Sequence, residues 1–229
     1  MHQYADDCQV YCSIPVSEAD VAVNDFSRCV SDLSAWLSAS RLRLHPAKTV
    51  VMWLGAKQYV MSVTVNSVQI MSTVVPVVHS VRDLGVVLDS HLNMSAQVSS
   101  VYRSAFNQLR QLRPVVHSFT TDAANLVIQA FVFLRLDYCN SLFYGISDSL
   151  IRRLQAVQNA AARLVTGTLR RDHISPVLRQ LHWLPVHQRI KFKLAVLVEE
   201  YPAERRISTP MLVFQYRRIW AIGQHSSWS

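Results

Sequence analysis

The sequence predicts an α+β fold in which a part with mixed strands and helices, up to about residue 91, precedes an all-helical part. Half of the 229 residues are apolar, which is enough to bury a core. Short apolar runs before residue 90 alternate as in strands, and apolar residues after it recur every three to four positions as in helices. The charge balance changes there too, because residues 1–100 hold six Lys and Arg against eight Asp and Glu, whereas residues 101–229 hold seventeen against seven.

The first elements of the chain are a predicted hairpin and a predicted helix. The stretch QYADDCQVYCSI (residues 3–14) alternates around a polar centre, which predicts a β-hairpin with residues 5–7 at its tip. Ser17 can cap a helix that ends near Ser40. The apolar face of this helix holds Phe26, Val30, Leu33 and Leu37.

Further strands are predicted between this helix and residue 90. The run KTVVMWLG (residues 48–55) is rich in β-branched and aromatic side chains and predicts a strand. The run SVTVNSVQIM (residues 62–71) predicts a second hairpin that turns at Asn66 and Ser67. The partial α+β domain is therefore expected to span residues 1–91.

A series of helices is predicted for residues 92–198. The first helix should be ended by Pro114, because proline breaks the backbone hydrogen bonding of a helix. The apolar stripe of that helix is Val98, Val101, Tyr102, Ala105, Leu109 and Leu112. The other predicted helices are residues 121–135, 148–165, 175–181 and 185–199. Gly167 lies just past the end of the helix at residues 148–165. Residues 199–229 diverge in character and are expected to form a poorly ordered tail.

The positive charge of the helical part suits a polyanionic partner. Lys and Arg that neutralise phosphates release condensed counterions, so they bind nucleic acid independently of its sequence. The arginines at helical spacing that would contact a nucleic-acid backbone are Arg103, Arg110, Arg113, Arg152, Arg153 and Arg163. A solvated basic helical surface without a ligand is the open alternative.

The compartment can be inferred from the cysteines and from the lack of long apolar runs. The four cysteines are too scattered to predict a disulfide framework, and no secretory signal peptide is recognised at the start. The apolar stretch at residues 123–134 is shorter than the roughly 20 residues that a spanning helix needs. An intracellular protein, nuclear or cytoplasmic and neither secreted nor membrane-spanning, is therefore expected.

The pair Asp6-Asp7 at the predicted hairpin tip is a candidate metal site. Adjacent carboxylates diverge, so two Mg²⁺ ions would need at least one further carboxylate from another segment. Taken alone, an Asp-Asp pair is more often a polar turn. Its neighbourhood changes that interpretation, because Tyr-Ala-Asp-Asp (residues 4–7) between apolar strands resembles the YxDD signature, motif C of reverse transcriptases.

The resemblance continues along most of the chain. LRLHPAKTVVMWLG (residues 42–55) is similar to motif D of the same palm domain. Later segments resemble the thumb and C-terminal region of LINE-type, non-LTR retrotransposon polymerases, with the jockey and chicken-repeat group as the nearest fit. These segments are residues 83–112, 131–145, 154–165 and 173–198, so that the resemblance covers about residues 1–198.

The resemblance implies specific roles in RNA-directed DNA synthesis with Mg²⁺. Asp6 would bind the catalytic metals, and Asp7 would be a weaker metal ligand. Tyr4 would pack beside the nucleotide sugar or the primer end. Lys48 would lie near the leaving pyrophosphate, where a cation neutralises charge or donates a proton. The partners would be an RNA template and its duplex with a DNA primer, gripped by the arginines of the thumb.

The segments that precede motif C in this family, with the other metal-binding aspartate, are not found in the sequence. The chain is therefore expected to be a fragment that binds Mg²⁺ weakly and does not polymerise alone. The alternative, from a different class, is a non-catalytic basic helical module that binds nucleic acid or another protein.

Overall fold

The computed structural model describes residues 2–4, 7–13, 15–43, 48–200, 211–216 and 220–221, and for the first and the last two of these segments it describes the backbone. The chain divides into two compact units. Unit 1 comprises residues 1–92 with 206–229, and unit 2 comprises residues 93–205. The predicted boundary after residue 91 lies beside this division.

Unit 1 is a mixture of strands and helices. Its helices are α1 (Ala19–Ala39) and α2 (Lys57–Ser62). Its strands, as far as the structure describes them, are β1 (His2–Tyr4), β2 (Asp7–Ser13), β3 (Leu42–Arg43), β4 (Thr49–Leu54), β5 (Ser67–Ile70), β6 (Thr73–Pro76), β7 (Ser80–Asp83), β8 (Val86–Asp89), β9 (Met211–Tyr216) and β10 (Trp220–Ala221).

The main sheet of unit 1 has the strand order β1-β2-β9-β4, and every neighbouring pair is antiparallel. Because successive residues of a strand point to opposite faces, β4 serves two clusters of buried residues. Val51 and Trp53 join the cluster formed with Phe26, Val30 and Leu37 of α1. Met52 and Leu54 lie in a second cluster, with Val81 and Leu88 of the β7–β8 hairpin packed against them.

The structure confirms the N-terminal hairpin, α1 and the strand at β4. Asp7 was predicted at the hairpin tip, but it is the first residue of β2 and pairs with Tyr4. The start of α1 also differs from the prediction. Ser17 does not cap α1, because residues Val16–Glu18 form a 3₁₀ turn and the helix begins at Ala19 without a side-chain cap. Pro15 starts this turn, and its carbonyl accepts a hydrogen bond from the Glu18 N–H (3.1 Å).

The second hairpin turns at a different place from the predicted one. Residues 57–62 form α2, and the pairing strands are β5 and β6, which are joined at residues 71 and 72. Val63 and Val65 pack against the core cluster outside any strand, and the Val65 carbonyl accepts a hydrogen bond from the Trp53 indole (3.2 Å). The alternating valines that suggested a strand therefore pack against this core cluster instead.

Two short strands follow α8 in the described part of residues 199–229. Residues 211–216 form β9 between β2 and β4, and residues 220–221 pair with β3. The run MLVFQY is rich in residues with high β propensity. It takes a position in the sheet where each neighbour offers a strand edge that needs hydrogen-bond partners.

Unit 2 is all-helical in its described residues. Together with the strands of unit 1, this agrees with the predicted α+β class of the chain. Its α-helices are α3 (Ser95–Val116), α4 (Thr121–Ile128), α5 (Leu134–Asp137), α6 (Asp148–Thr166), α7 (Ile174–Gln180) and α8 (Val186–Glu200). A π-helical turn, Gln129–Phe133, joins α4 to α5. Pro114 does not end α3, which continues to Val116. A proline so close to the end of a helix disrupts only the last turn.

A buried amide network ties α6 to the segment before α8. Gln158 is fully buried (0% exposed). Its Nε2 donates to the Leu184 carbonyl (2.8 Å), and its Oε1 accepts a hydrogen bond from Gln155 Nε2 (2.9 Å). The Val186 N–H donates to Gln155 Oε1 (2.9 Å). Two glutamines of α6 therefore hydrogen-bond to backbone groups just before and at the start of α8.

An ion pair connects α8 to α5. The guanidinium of Arg189 donates to both carboxylate oxygens of Asp137, with Nε 2.9 Å from Oδ1. The same guanidinium lies 4.7 Å from the centroid of the Phe133 ring, which meets Trp183 edge to face at 4.4 Å. A fork-shaped ion pair of this kind fixes the orientation of the two helices as well as their contact.

The thiols of Cys12, Cys29 and Cys139 are free. Burial raises the pKa of the Cys12 thiol, and the nearby Asp25 carboxylate and Cys29 raise it further. Cys12 therefore stays protonated near neutral pH and is a poor nucleophile there.

Candidate nucleic-acid interface

A groove of about 890 Å³ lies in unit 2, between α3, α6 and the loop that follows α6. We call it the α3–α6 groove. From α3 it is lined by Tyr102, Phe106, Leu109, Arg110, Arg113 and His117; from α6 by Ala156, Asn159, Ala160, Arg163 and Leu164; and from the loop by Gly167, Thr168, Leu169 and Arg170. The lining thus combines an apolar floor with four arginines.

Helical spacing places these residues on facing sides of the groove. Phe106, Arg110 and Arg113 follow each other at intervals of four and three residues, so they share one side of α3. Gly167 ends α6 with φ +70°, a left-handed conformation that glycine adopts without strain. The chain reverses there, which brings Leu169 and Arg170 to the groove.

Arg163 holds this loop in place. Its Nε donates to the Leu169 carbonyl (3.4 Å) and its Nη2 donates to the Asp172 carbonyl (3.3 Å). The Leu169 N–H in turn donates to the Asp172 carboxylate (3.2 Å). Arg163 therefore supplies charge to the groove and also positions the loop that carries Arg170.

The charged residues that line the groove are all basic. None of its lining residues is acidic. Arg110, Arg113 and Arg170 are exposed at its rim, and none of the four groove arginines forms an ion pair within the described residues. Arginines whose charges are not compensated by a carboxylate are suited to phosphate groups, which they bind in a fork geometry.

Two aromatic side chains form part of the α3 wall. The rings of Tyr102 and Phe106 have centroids 4.6 Å apart and are tilted by 52°. The Arg153 guanidinium lies 5.1 Å from the Tyr102 ring centroid and donates to the Ser99 hydroxyl (3.1 Å). The Arg153 guanidinium thus packs against the Tyr102 ring, and the neighbouring Phe106 ring is half-buried at the groove.

The structure brings together only some of the arginines that the sequence singled out. Arg110, Arg113 and Arg163 line the groove, whereas Arg153 supports Tyr102. The remaining two are exposed and do not line it: Arg103, whose Nε donates to the Ser99 carbonyl (3.3 Å), and Arg152.

Sequence reasoning did not identify Phe106, His117 and Arg170 as groove residues. The usable signal for Arg170 was its position three residues after Gly167, since a glycine that ends a helix commonly reverses the chain. Phe106 was hidden within the apolar pattern of α3, where an aromatic residue cannot be distinguished from a core residue by spacing alone.

The predicted catalytic residues lie in unit 1. β1 and β2 form an antiparallel hairpin in which Tyr4 pairs with Asp7. Asp6 lies outside the described residues, and Tyr4 and Asp7 are described by their backbone. Lys48 immediately precedes β4 and is half-buried.

The register of the main sheet relates Asp7 to Lys48. Tyr216 of β9 pairs with Cys8 on one side and with Thr49 on the other. Asp7 and Lys48 each precede these paired residues by one position, so they lie at the same end of the sheet. At roughly 4.8 Å per strand, the two backbones are separated by about 10 Å.

A metal-binding set is not present in the described part of the chain, where no three His, Cys, Asp or Glu side chains come together. The described side chains nearest to β2 include Asp83, and its carboxylate accepts a hydrogen bond from Gln9 (2.7 Å). A Mg²⁺ pair requires several oxygen ligands, and the candidate ligands Asp6 and Asp7 are not among the described side chains.

Comparison with known proteins gives no relative for the chain: no protein-family model, no curated protein and no solved structure matches it. The helices that the structure describes are also too short or too polar to cross a lipid bilayer.

Proposed function

We propose that unit 2 binds nucleic acid by gripping its phosphate backbone in the α3–α6 groove. The observation that carries this proposal is the convergence of Arg110, Arg113, Arg163 and Arg170 on one groove without an acidic lining residue. A purely solvated basic surface would not need arginines from two helices and a loop to meet. Contacts of this type position a nucleic acid without distinguishing its bases.

The test is a binding measurement on the variant Arg110→Gln/Arg113→Gln/Arg170→Gln. Arg163 is left unchanged because it anchors the loop. We expect affinity for a 20-nucleotide RNA or DNA to fall about 100-fold at 100 mM salt. The slope of log affinity against log salt should become shallower by about 2 to 3, because three phosphate contacts are lost. Filter binding across a salt series measures both quantities.

A matched control removes three positive charges elsewhere in unit 2. The variant Arg135→Gln/Lys191→Gln/Lys193→Gln changes exposed residues that do not line the groove. Its affinity should fall less than about threefold. Equal losses in the two variants would mean that only net charge matters and would refute a groove-specific site.

For unit 1 we propose a role in RNA-directed DNA synthesis of the LINE type, as its resemblance implies. The placement that favours this role is the hairpin end with Asp7 at the same end of the sheet as Lys48. A carboxylate near the metals and a cation near the leaving group are both required in phosphoryl transfer.

We expect no primer extension by the 229-residue chain on an RNA template with Mg²⁺. A two-metal site needs a bridging carboxylate from another segment, and the sequence shows no aspartate in suitable surroundings. Incorporation of labelled deoxynucleotides measures this directly. Extension that disappears in Asp6→Ala, but not in the nearby Gln3→Ala, would show that the chain polymerises by itself and that this expectation is wrong.

A further inference from the structure

We infer that the α3–α6 groove takes single-stranded nucleic acid, with at least one unstacked base inserted against Phe106. This inference rests on the proposed binding of nucleic acid in that groove and names the strand type that fits it. The inference depends on the apolar residues of the groove, which arginine–phosphate contacts alone would not cover.

The groove is larger and more apolar than a phosphate track requires. Its volume of about 890 Å³ lies in the range of pockets that enclose drug-sized molecules. Phe106, Leu164 and Leu169 contribute apolar surface to it, and the Leu169 side chain is 54% exposed. An exposed apolar surface of this kind gains stability when a flat apolar partner covers it.

The wall of the groove provides a platform for stacking. Phe106 is half-buried and contacts Tyr102, while Tyr102 is held by Arg153. A ring that its neighbours hold in place loses little conformational freedom when a base stacks on it. Base stacking on aromatic side chains is tolerant of base identity, so the stacking platform by itself would not select one base over another.

The arrangement of charge selects a nucleic acid over an uncharged apolar ligand. Arg110, Arg113 and Arg170 surround the apolar floor at the exposed rim. A single strand offers bases to the floor and phosphates to the rim at the same time. A duplex keeps its bases stacked inside, so it could use only the rim.

The experiment compares three ligands of equal length on the unaltered 229-residue protein: an unstructured single-stranded DNA 12-mer, the same backbone with abasic residues, and a 12-base-pair duplex. We expect the normal single strand to bind about tenfold more tightly than the abasic strand. Equal affinity for the two would overturn the inference and leave backbone binding in place. Absence of binding by all three would refute the proposed function itself.

A variant localises the effect. Phe106→Leu keeps an apolar side chain but removes the aromatic face, and it should lower affinity for the normal strand about tenfold without changing affinity for the abasic strand. Phe131→Leu, at an exposed aromatic residue that does not line the groove, is the matched control and should bind normally. A polyglutamate peptide that displaces the strand at equal charge concentration would assign the groove to acidic protein segments and overturn the inference.

Discussion

Removing residues 206–229 is expected to unfold unit 1 while unit 2 keeps its helices. The reason is that β9 pairs with β2 on one side and with β4 on the other, over six residues each. At a net 0.5–1.5 kcal/mol per backbone hydrogen bond, the loss is about 5 kcal/mol or more. That is comparable with the total stability of a small domain, about 5–15 kcal/mol.

Hydrogen exchange with mass spectrometry distinguishes the two units. Amides of α1 and β4 should lose protection in the truncated chain, and amides of α3 and α6 should keep it. Val213→Pro should act in the same direction, because proline removes a donor from a central strand. Gln224→Pro, outside the paired residues of β9 and β10, serves as the control. Unchanged protection of β4 after truncation would show that β9 does not support the sheet.

The second large effect is expected from Gln158→Ala, which should lower the free energy of unfolding of unit 2 by about 3 kcal/mol. Two costs add together. The Leu184 carbonyl loses its donor, and a partly buried hydrogen bond of this kind contributes about 0.5–1.5 kcal/mol net. The fully buried side chain also leaves a cavity, and truncations of this kind add to the loss.

A substitution to leucine separates the two costs. Gln158→Leu fills much of the volume but cannot donate to Leu184, so it should cost about 1–2 kcal/mol. Gln180→Ala on α7, an exposed glutamine, is the control and should change stability by less than about 0.5 kcal/mol. Urea unfolding monitored by circular dichroism gives all three values. Equal destabilisation by alanine and leucine would mean that the cavity contributes nothing.

The helices of unit 2 could be predicted well because their apolar residues recur at intervals that only a helix satisfies. Asp148–Thr166 differs from its predicted range by one residue, since Gly167 marks its end. The prediction that Pro114 ends its helix was wrong because a proline near the end of a helix can be followed by a few more helical residues, here as far as Val116. The spacing of apolar residues therefore predicts where a helix forms. It does not predict the residue at which the last turn ends.

The pairing of strands was predictable only where both partners are close in sequence. The hairpin at residues 2–13 satisfies that condition, and β9 does not, because its partners β2 and β4 lie far from it along the chain. The groove shows the same limit. The spacing of Arg110 and Arg113 on α3 could be predicted, but their approach to Arg163 and Arg170 depends on packing between distant helices.

The position of β9 also determines the order in which the protein can be completed during translation. The strands β2 and β4 leave the ribosome first. The strand that lies between them in the sheet, β9, is made only after all of unit 2. At about 5–20 residues per second this delay is roughly ten to thirty seconds. Unit 2, built from local helical contacts, can fold well within that time. Meanwhile two open strand edges are available to any other extended polypeptide, so the nascent chain should depend on chaperones until its own last strand arrives.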